Sequence, residues 1–350
     1  MEKIRTLFAN LPRFRVIIAV MVTAILAVGM IGCDSGSKPI VVVWYPNESA
    51  GNYDASRAEF AKLIEQATGR KVVNKTTTDY ALAIQALANG QADIGAVMGA
   101  VGYIEAKNTN PKVDLLVVNS GKSGTLDDAR YFSWICVSKE DAEQYKDANG
   151  NYSIDNIQGK KMSFVSNSST SGFRVPTNGI ISHFGKTDQW KDINEDAVLG
   201  LGSTKFFSEV MFGQSHQGSA KNLVAGNADV AAFCDIEIIH YIDLKEGTLN
   251  QVGSVYAVKQ NAEAPFNTEA GKEFVVIAST PVLNGPYAYN PQNLSADEIK
   301  AIQDLLTSDA VANNDKIFFE EGGVGFYKKE GNNRYVRVED SWYDPIRNMG

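Results

Sequence analysis

Strand-like apolar runs alternate with amphipathic helical patterns twice along this chain. No other feature limits its fold so strongly. In the first half, 40–46 (IVVVWYP) is a β-branched apolar run that stops at Pro46-Asn47. In 55–68, Phe60, Leu63, Ile64 and Ala67 recur at helical spacing, and Gly69 ends the pattern. A strand at 71–78, an amphipathic helix at 80–90, a strand at 92–99, a short helix beginning at 102–107 and a strand at 113–119 follow. The second half repeats the grammar. A strand at 162–165 leads through a serine-rich turn into a helix predicted from about Gly172 to Phe184. Helical readings at 206–213 and 218–226 precede a strand at 228–234. The strands at 92–98 (ADIGAVM) and 228–234 (ADVAAFC) echo each other, each opening on Ala-Asp after a helix. The alternation predicts βαβ units with parallel strands, an α/β class, and two similar lobes. Asp93 and Asp229, at equivalent places in the repeat, are expected to anchor local backbone. The Pro-interrupted stretch 273–289 suits a crossing between lobes. Ser295 with Glu298 three residues on marks a capped helix at 295–306.

The N-terminus sets the compartment. Lys3, Arg5, Arg13 and Arg15 precede an apolar run from Val16 to Ile31, then Gly32-Cys33 and a small polar stretch, 34–38. The order is that of a secretory signal peptide, and the run is shorter than the ~20 residues of a membrane span. Met30-Ile31-Gly32-Cys33 resembles a bacterial lipobox, which implies lipidation of Cys33 and a lipid-anchored place on the extracytoplasmic face of the cell membrane. Removing residues 1–32 takes away four basic residues and one acidic one. That leaves 29 basic against 40 acidic and a net charge of −11, where the whole chain has −8. Such a surface argues against nucleic acid as a partner but leaves an anionic ligand open, because a buried site binds through local hydrogen bonds. Cys136 and Cys234 lie in apolar runs and read as buried thiols. No Cys or His spacing points to a metal. The alternating Asp147, Asn149, Asn151, Ser153 and Asp155 lack the glycine and glutamate of a calcium loop and read as a turn. No cofactor is expected.

The stretch 163–176 (SFVSNSSTSGFRVP) carries the chemistry. A strand runs into hydroxyl residues, a glycine and a helix start. Helix N-termini present unpaired N–H groups, and hydroxyls add neutral donors, a combination that suits a tetrahedral oxyanion. The same residues also suit simple helix capping by Ser171.

Ser-Thr-Ser-Gly-Phe-Arg-Val-Pro at 169–176 is similar to a motif of the phosphonate-binding components of ABC transporters. The blocks at 77–106, 213–232 and 279–286 resemble that family's Asp-Tyr, Gly-x-His and hinge blocks, in the same order. The resemblance implies a two-lobed periplasmic-binding-protein fold of type II with a ligand cleft between the lobes. Lobe 1 would take 40–130 and 279–350 and lobe 2 131–278, behind a signal peptide at 1–32 and a tether at 33–39. It also implies a monomeric solute-binding lipoprotein that hands a phosphonate, phosphite or phosphate to an ABC permease and its ATPase. Ser169, Thr170 and Ser171 would bind the phosphonyl oxygens, joined by Tyr80 from the opposite lobe and by His216, which as a cation would give charge-assisted bonds. Asp235, with Glu237 as runner-up, falls where the family reads an amine. Tyr103 stands in for an aromatic that is Met98 here, and Tyr45 and Asn47 end the first strand. The hinge block, Leu283-Asn284-Gly285-Pro286, lacks the family's second acid, which leaves the organic end of the ligand open. The same scaffold could hold a sulfonate, a vitamin or a phosphorylated cofactor precursor, or serve as a sensor. A Ser171–His216–Asp235 hydrolytic triad is disfavoured because no Gly-x-Ser-x-Gly elbow is present.

Overall fold

Local signals on the chain place most of the elements. In a computed structural model, residues 37–47, 53–320, 323 and 325–349 are described. The leader, the lipobox and Cys33 lie outside the described residues. The first segment runs β1 (Ile40–Trp44), α1 (Asp54–Thr68), β2 (Val72–Thr76), α2 (Tyr80–Ala88), β3 (Ile94–Ala96), α3 (Ala100–Thr109) and β4 (Asp114–Asn119). The second runs β5 (Arg130–Ser138), β6 (Lys161–Phe164), α4 (Val175–Phe184), α5 (Glu195–Leu199), β7 (Glu209–Phe212), α6 (His216–Val224), β8 (Val230–Cys234), β9 (Ile242–Glu246), β10 (Val255–Val258) and β11 (Glu273–Leu283). The third holds β12 (Pro286–Tyr289), α7 (Ala296–Leu306), α8 (Asp309–Ala312), β13 (Phe318–Phe319), β14 (Tyr327–Lys328), β15 (Tyr335–Val336) and α9 (Asp344–Arg347).

The strands form two main sheets, one per lobe, ordered β15-β4-β12-β3-β1-β2 and β7-β6-β8-β5-β11-β10-β9. The expected parallel units are there: β1 lies between β2 and β3, and β6 between β7 and β8, all parallel. The sheets as wholes are mixed, because β12, β15, β5, β11, β10 and β9 join antiparallel. The chain passes from the first sheet to the second between β4 and β5 and returns between β11 and β12. At the return, Asn284 N–H donates to the Ala129 carbonyl (3.1 Å) and Asn284 Nδ2 to that of Asn119 (2.8 Å), so the two crossings are bonded side by side.

The Ala-Asp echo has a physical cause. Asp93 Oδ2 accepts from Val41 N–H, and Asp229 Oδ2 accepts from Lys161 N–H, both at 2.8 Å. Each carboxylate thus pins the start of its strand to the parallel neighbour. Apolar side chains from the sheet faces fill the cores. Trp44, Phe60 and Tyr287 lie in one cluster, and Phe164, Phe173 and Phe206 in another, all within 1% of full burial. At about 1.5–3 kcal/mol per fully buried large apolar side chain, such clusters dominate the stability of each lobe. Ser295 and Glu298 form the expected capping box of α7.

Two local expectations fail. The stretch 206–213 is not helical: β7 pairs in parallel with β6, Glu209 opposite Lys161 and Phe212 opposite Phe164. A stretch this short, with its apolar residues broken by Ser208 and Glu209, suits either state, and pairing along the β6 edge decided it. The helix expected from Gly172 begins instead as a wider π-type turn, Thr170–Arg174, and becomes α-helical at Val175. Cys136 and Cys234 are buried and unpaired. Asp147 Oδ1 accepts from the N–H groups of Asn149 and Asn151, a turn arrangement. Among the described residues no helix is long and apolar enough to cross a membrane, and no cluster of His, Cys, Asp or Glu could hold a metal ion.

Candidate functional site

The carboxyl ends of the parallel strands converge on one cavity of about 380 Å³. That is where open α/β sheets hold ligands. Tyr45 and Asn47 follow β1, Tyr80 follows β2 and opens α2, and Val97 and Gly99 follow β3. From the other lobe, Ser169, Thr170 and Ser171 follow β6, His216 follows β7, and Cys234 and Glu237 end or follow β8. Tyr131 at the start of β5 and Gly285 at the crossing complete the wall near the hinge.

Each hydroxyl of the serine-rich turn has its own local task. Ser169 Oγ accepts from Gly172 N–H (3.1 Å), so the capping residue is Ser169 and not Ser171. Thr170 Oγ1 accepts from Val101 N–H (2.9 Å) across the cleft, at the N-terminal turn of α3. Ser171 shares a hydrogen bond with the Tyr131 phenol, and its carbonyl accepts from Ser133 Oγ (2.6 Å). Gly172 is forced by close packing: a Cβ there would come within 2.2 Å of Val165 Cγ2. A second bridge spans the cleft at Asn47. Its Oδ1 accepts from the Tyr80 hydroxyl (2.9 Å) and from His216 N–H (3.3 Å), the first residue of α6. Both acceptors sit at helix N-termini, where unpaired N–H groups are available.

His216 is not the cation that the sequence reading entertained. The ring is buried, its Nδ1 accepts from Cys234 N–H (2.9 Å), and burial pulls its pKa down to about 3. The imidazole is therefore neutral with its proton on Nε2, a neutral donor. The described residues of the lining include no lysine or arginine. An anion in this cavity would meet oriented hydroxyls, the imidazole N–H and helix N-termini, which stabilise charge without a formal counter-charge.

Seven of the nine expected ligand residues come together: Ser169, Thr170, Ser171, Tyr80, His216, Tyr45 and Asn47 all line the cavity. Two are not brought to it. Asp235 Oδ1 accepts from Phe132 N–H (2.9 Å) and Oδ2 from Asn250 Nδ2 (3.0 Å), tying β8 to β5 while burial lifts its pKa to about 6. Tyr103 faces away, its hydroxyl donating to Asp340 Oδ1 (2.6 Å) and its ring lying 5.7 Å from that of Tyr343. Glu237, two residues after Asp235, is the carboxylate in the wall. Nor do Ser171, His216 and Asp235 form a relay: His216 Nδ1 accepts from a backbone amide, whereas a triad histidine donates from Nδ1 to its acid. Sequence reasoning missed Tyr131, Gly99 and Gly285. Only the Asn-Gly-Pro turn at 284–286 offered a signal. A Cβ on Gly99 would lie 2.8 Å from Thr170 Oγ1, and one on Gly285 2.5 Å from the Met98 carbonyl.

Residues 42–343 match the family model described as ABC transporter, phosphonate, periplasmic substrate-binding protein. The chain is 27% identical over 234 residues to the phosphate-import protein PhnD of Mycolicibacterium smegmatis. The match covers 63% of this chain and 66% of that protein, just under two thirds of its length. Among solved structures, it superposes on PhnD1 of Prochlorococcus marinus in complex with methylphosphonate (TM-score 0.62, 14% identity, 90% of this chain and 98% of that one). It likewise superposes on a binding-protein component of an ABC phosphonate transporter from Pseudomonas aeruginosa (TM-score 0.61, 18% identity, 89% and 85%).

Proposed function

Because the chain belongs to the family of periplasmic substrate-binding proteins of phosphonate ABC transporters, we propose that it captures a small phosphorus oxyanion in this cavity. It then delivers the ligand to a membrane permease driven by an ATPase. One observation carries the reading: neutral polar side chains from both lobes, Ser169–Ser171 and His216 on one side and Tyr80 and Asn47 on the other, converge on a cavity whose described walls hold no lysine or arginine. The relatives support the chemistry, one named for phosphate import and one holding methylphosphonate. In this reading Ser169, Thr170, Ser171, Tyr80 and His216 bind the phosphoryl oxygens, and closure of the two lobes traps the ligand. The protein acts outside the cytoplasmic membrane, anchored by a lipid on Cys33. The leader and lipobox of the sequence support that placement.

The test is calorimetry on the chain from Cys33 onward with methylphosphonate, phosphite and phosphate. One-to-one binding of at least one is expected. Ser171→Ala should weaken it by about 1.5–3 kcal/mol, the worth of a hydrogen bond to a charged group. Binding of none of them, or an unchanged constant in the variant, would overturn the assignment.

A further inference from the structure

The hydrogen bond that Tyr80 gives to Asn47 decides what it can offer a ligand. Asn47 Oδ1 faces two donors, the Tyr80 hydroxyl (2.9 Å) and His216 N–H (3.3 Å). A backbone N–H can only donate, so the Asn47 atom between them is the amide oxygen and not the nitrogen. The phenol proton of Tyr80 therefore points at Asn47. Toward the cavity that it lines, the Tyr80 oxygen presents acceptor capacity. Turning the proton to a ligand would leave the buried Asn47 Oδ1 with the longer bond alone. The opposite wall has the reverse polarity. Ser169 Oγ accepts from Gly172 N–H and Thr170 Oγ1 from Val101 N–H, so each hydroxyl keeps its own proton to donate. His216 adds Nε2–H. One wall donates and the facing wall accepts.

Resting on the reading that this cavity holds a phosphorus oxyanion, we propose that Tyr80, positioned by Asn47, selects a ligand that still carries a P–OH group. That hydroxyl donates to the Tyr80 oxygen, while the bare oxygens accept from Ser169, Thr170 and His216. For a phosphonate the selected species is the monoanion. A fully deprotonated oxyanion would set its lone pairs against those of Tyr80 and leave both acceptors unmatched. A second negative charge would also meet the Glu237 carboxylate in a described wall without lysine or arginine.

The experiment compares methylphosphonate with methanesulfonate by calorimetry across a range of pH. Below the second ionisation of methylphosphonate both are monoanions of one shape, and only the phosphonate keeps a proton. There it should bind about tenfold tighter or more. Above that ionisation its dissociation constant should rise about tenfold for each pH unit. The groups around Tyr80 leave that slope to the ligand. Burial holds His216 at about 3 and pushes the Tyr131 phenol and the Cys234 thiol up. Asp235, at about 6 behind the wall, is common to the parent and the variants. Tyr80→Phe removes the acceptor, and Asn47→Ala frees the phenol proton to turn toward the ligand. In both, the ratio between the two probes should fall toward one and the pH slope should flatten. Looser closure alone would weaken both probes alike and leave the ratio unchanged. Asn47→Ala carries the test if Tyr80→Phe does not fold. Methanesulfonate that matches methylphosphonate, a constant that does not rise through the second ionisation, or a ratio unmoved in the variants would each overturn the proposal. Failure of methylphosphonate, phosphite and phosphate alike at every pH would instead sink the oxyanion reading on which it rests.

Discussion

Replacing Asn47 with alanine removes the acceptor that joins the two lobes at the centre of the cleft. Asn47 is 6% exposed, and its Oδ1 takes two bonds, from the Tyr80 hydroxyl and from His216 N–H. The first bond holds the Tyr80 hydroxyl within its own lobe and is made whether the lobes are apart or together. The second crosses the cleft and exists only when the lobes are together. At about 1 kcal/mol net for that bond, the variant should lose about 1 kcal/mol of the closed arrangement. A ligand that binds the closed state then loses affinity by the same free energy, roughly fivefold in dissociation constant. Gly99→Ala perturbs the other bridge by a different route. The added methyl would lie 2.8 Å from Thr170 Oγ1, closer than real contacts allow, and would wedge α3 away from the serine-rich turn. Overpacking of this kind costs about 1–3 kcal/mol. Calorimetry with methylphosphonate and phosphate measures both variants, and unfolding midpoints without ligand check the lobes themselves, which should change little because neither residue sits in a core cluster. Dissociation constants within twofold of the parent for both variants would refute the coupling between these bridges and binding.

Two further outcomes are expected. Burial lifts the Asp235 pKa to about 6, above its unfolded value, so its contribution to stability is complete below ~4 and is lost as pH rises through 6. Asp235→Asn should therefore raise stability at pH 7.5 relative to pH 5 when compared with the parent. The Asn250 amide can turn over to keep the contact, since its Oδ1 has no partner; parallel stability–pH curves from chemical denaturation would contradict this. For the anchor, Cys33→Ser should move the protein from the membrane pellet to the soluble extracytoplasmic fraction, and continued sedimentation with membranes would count against lipidation.

Local pattern was enough to place most of the strands and helices, because apolar periodicity and caps act over a few residues. The Ala-Asp repeat even located two equivalent anchors, Asp93 and Asp229, since a carboxylate opening a buried strand needs a backbone donor from its neighbour. The serine-rich turn was legible as a donor-rich strand-to-helix turn for the same local reason, and it lines the cavity. What the sequence alone determined is thus the α/β grammar, the doubling into two lobes, and a strand-to-helix turn rich in donors. The contacts that define the cavity belong to the tertiary structure. Asp235 and Glu237 are of equal chemical merit on paper, but the Phe132 amide and Asn250 claim Asp235, and Glu237 is left in the wall. Tyr103 turns away toward Asp340, 237 residues later in the chain. The charge of His216 also waited on the fold, because burial and one amide, that of Cys234, keep the ring neutral. Desolvation and long-range hydrogen bonding have no local signature, and they set both the membership and the electrostatics of this site.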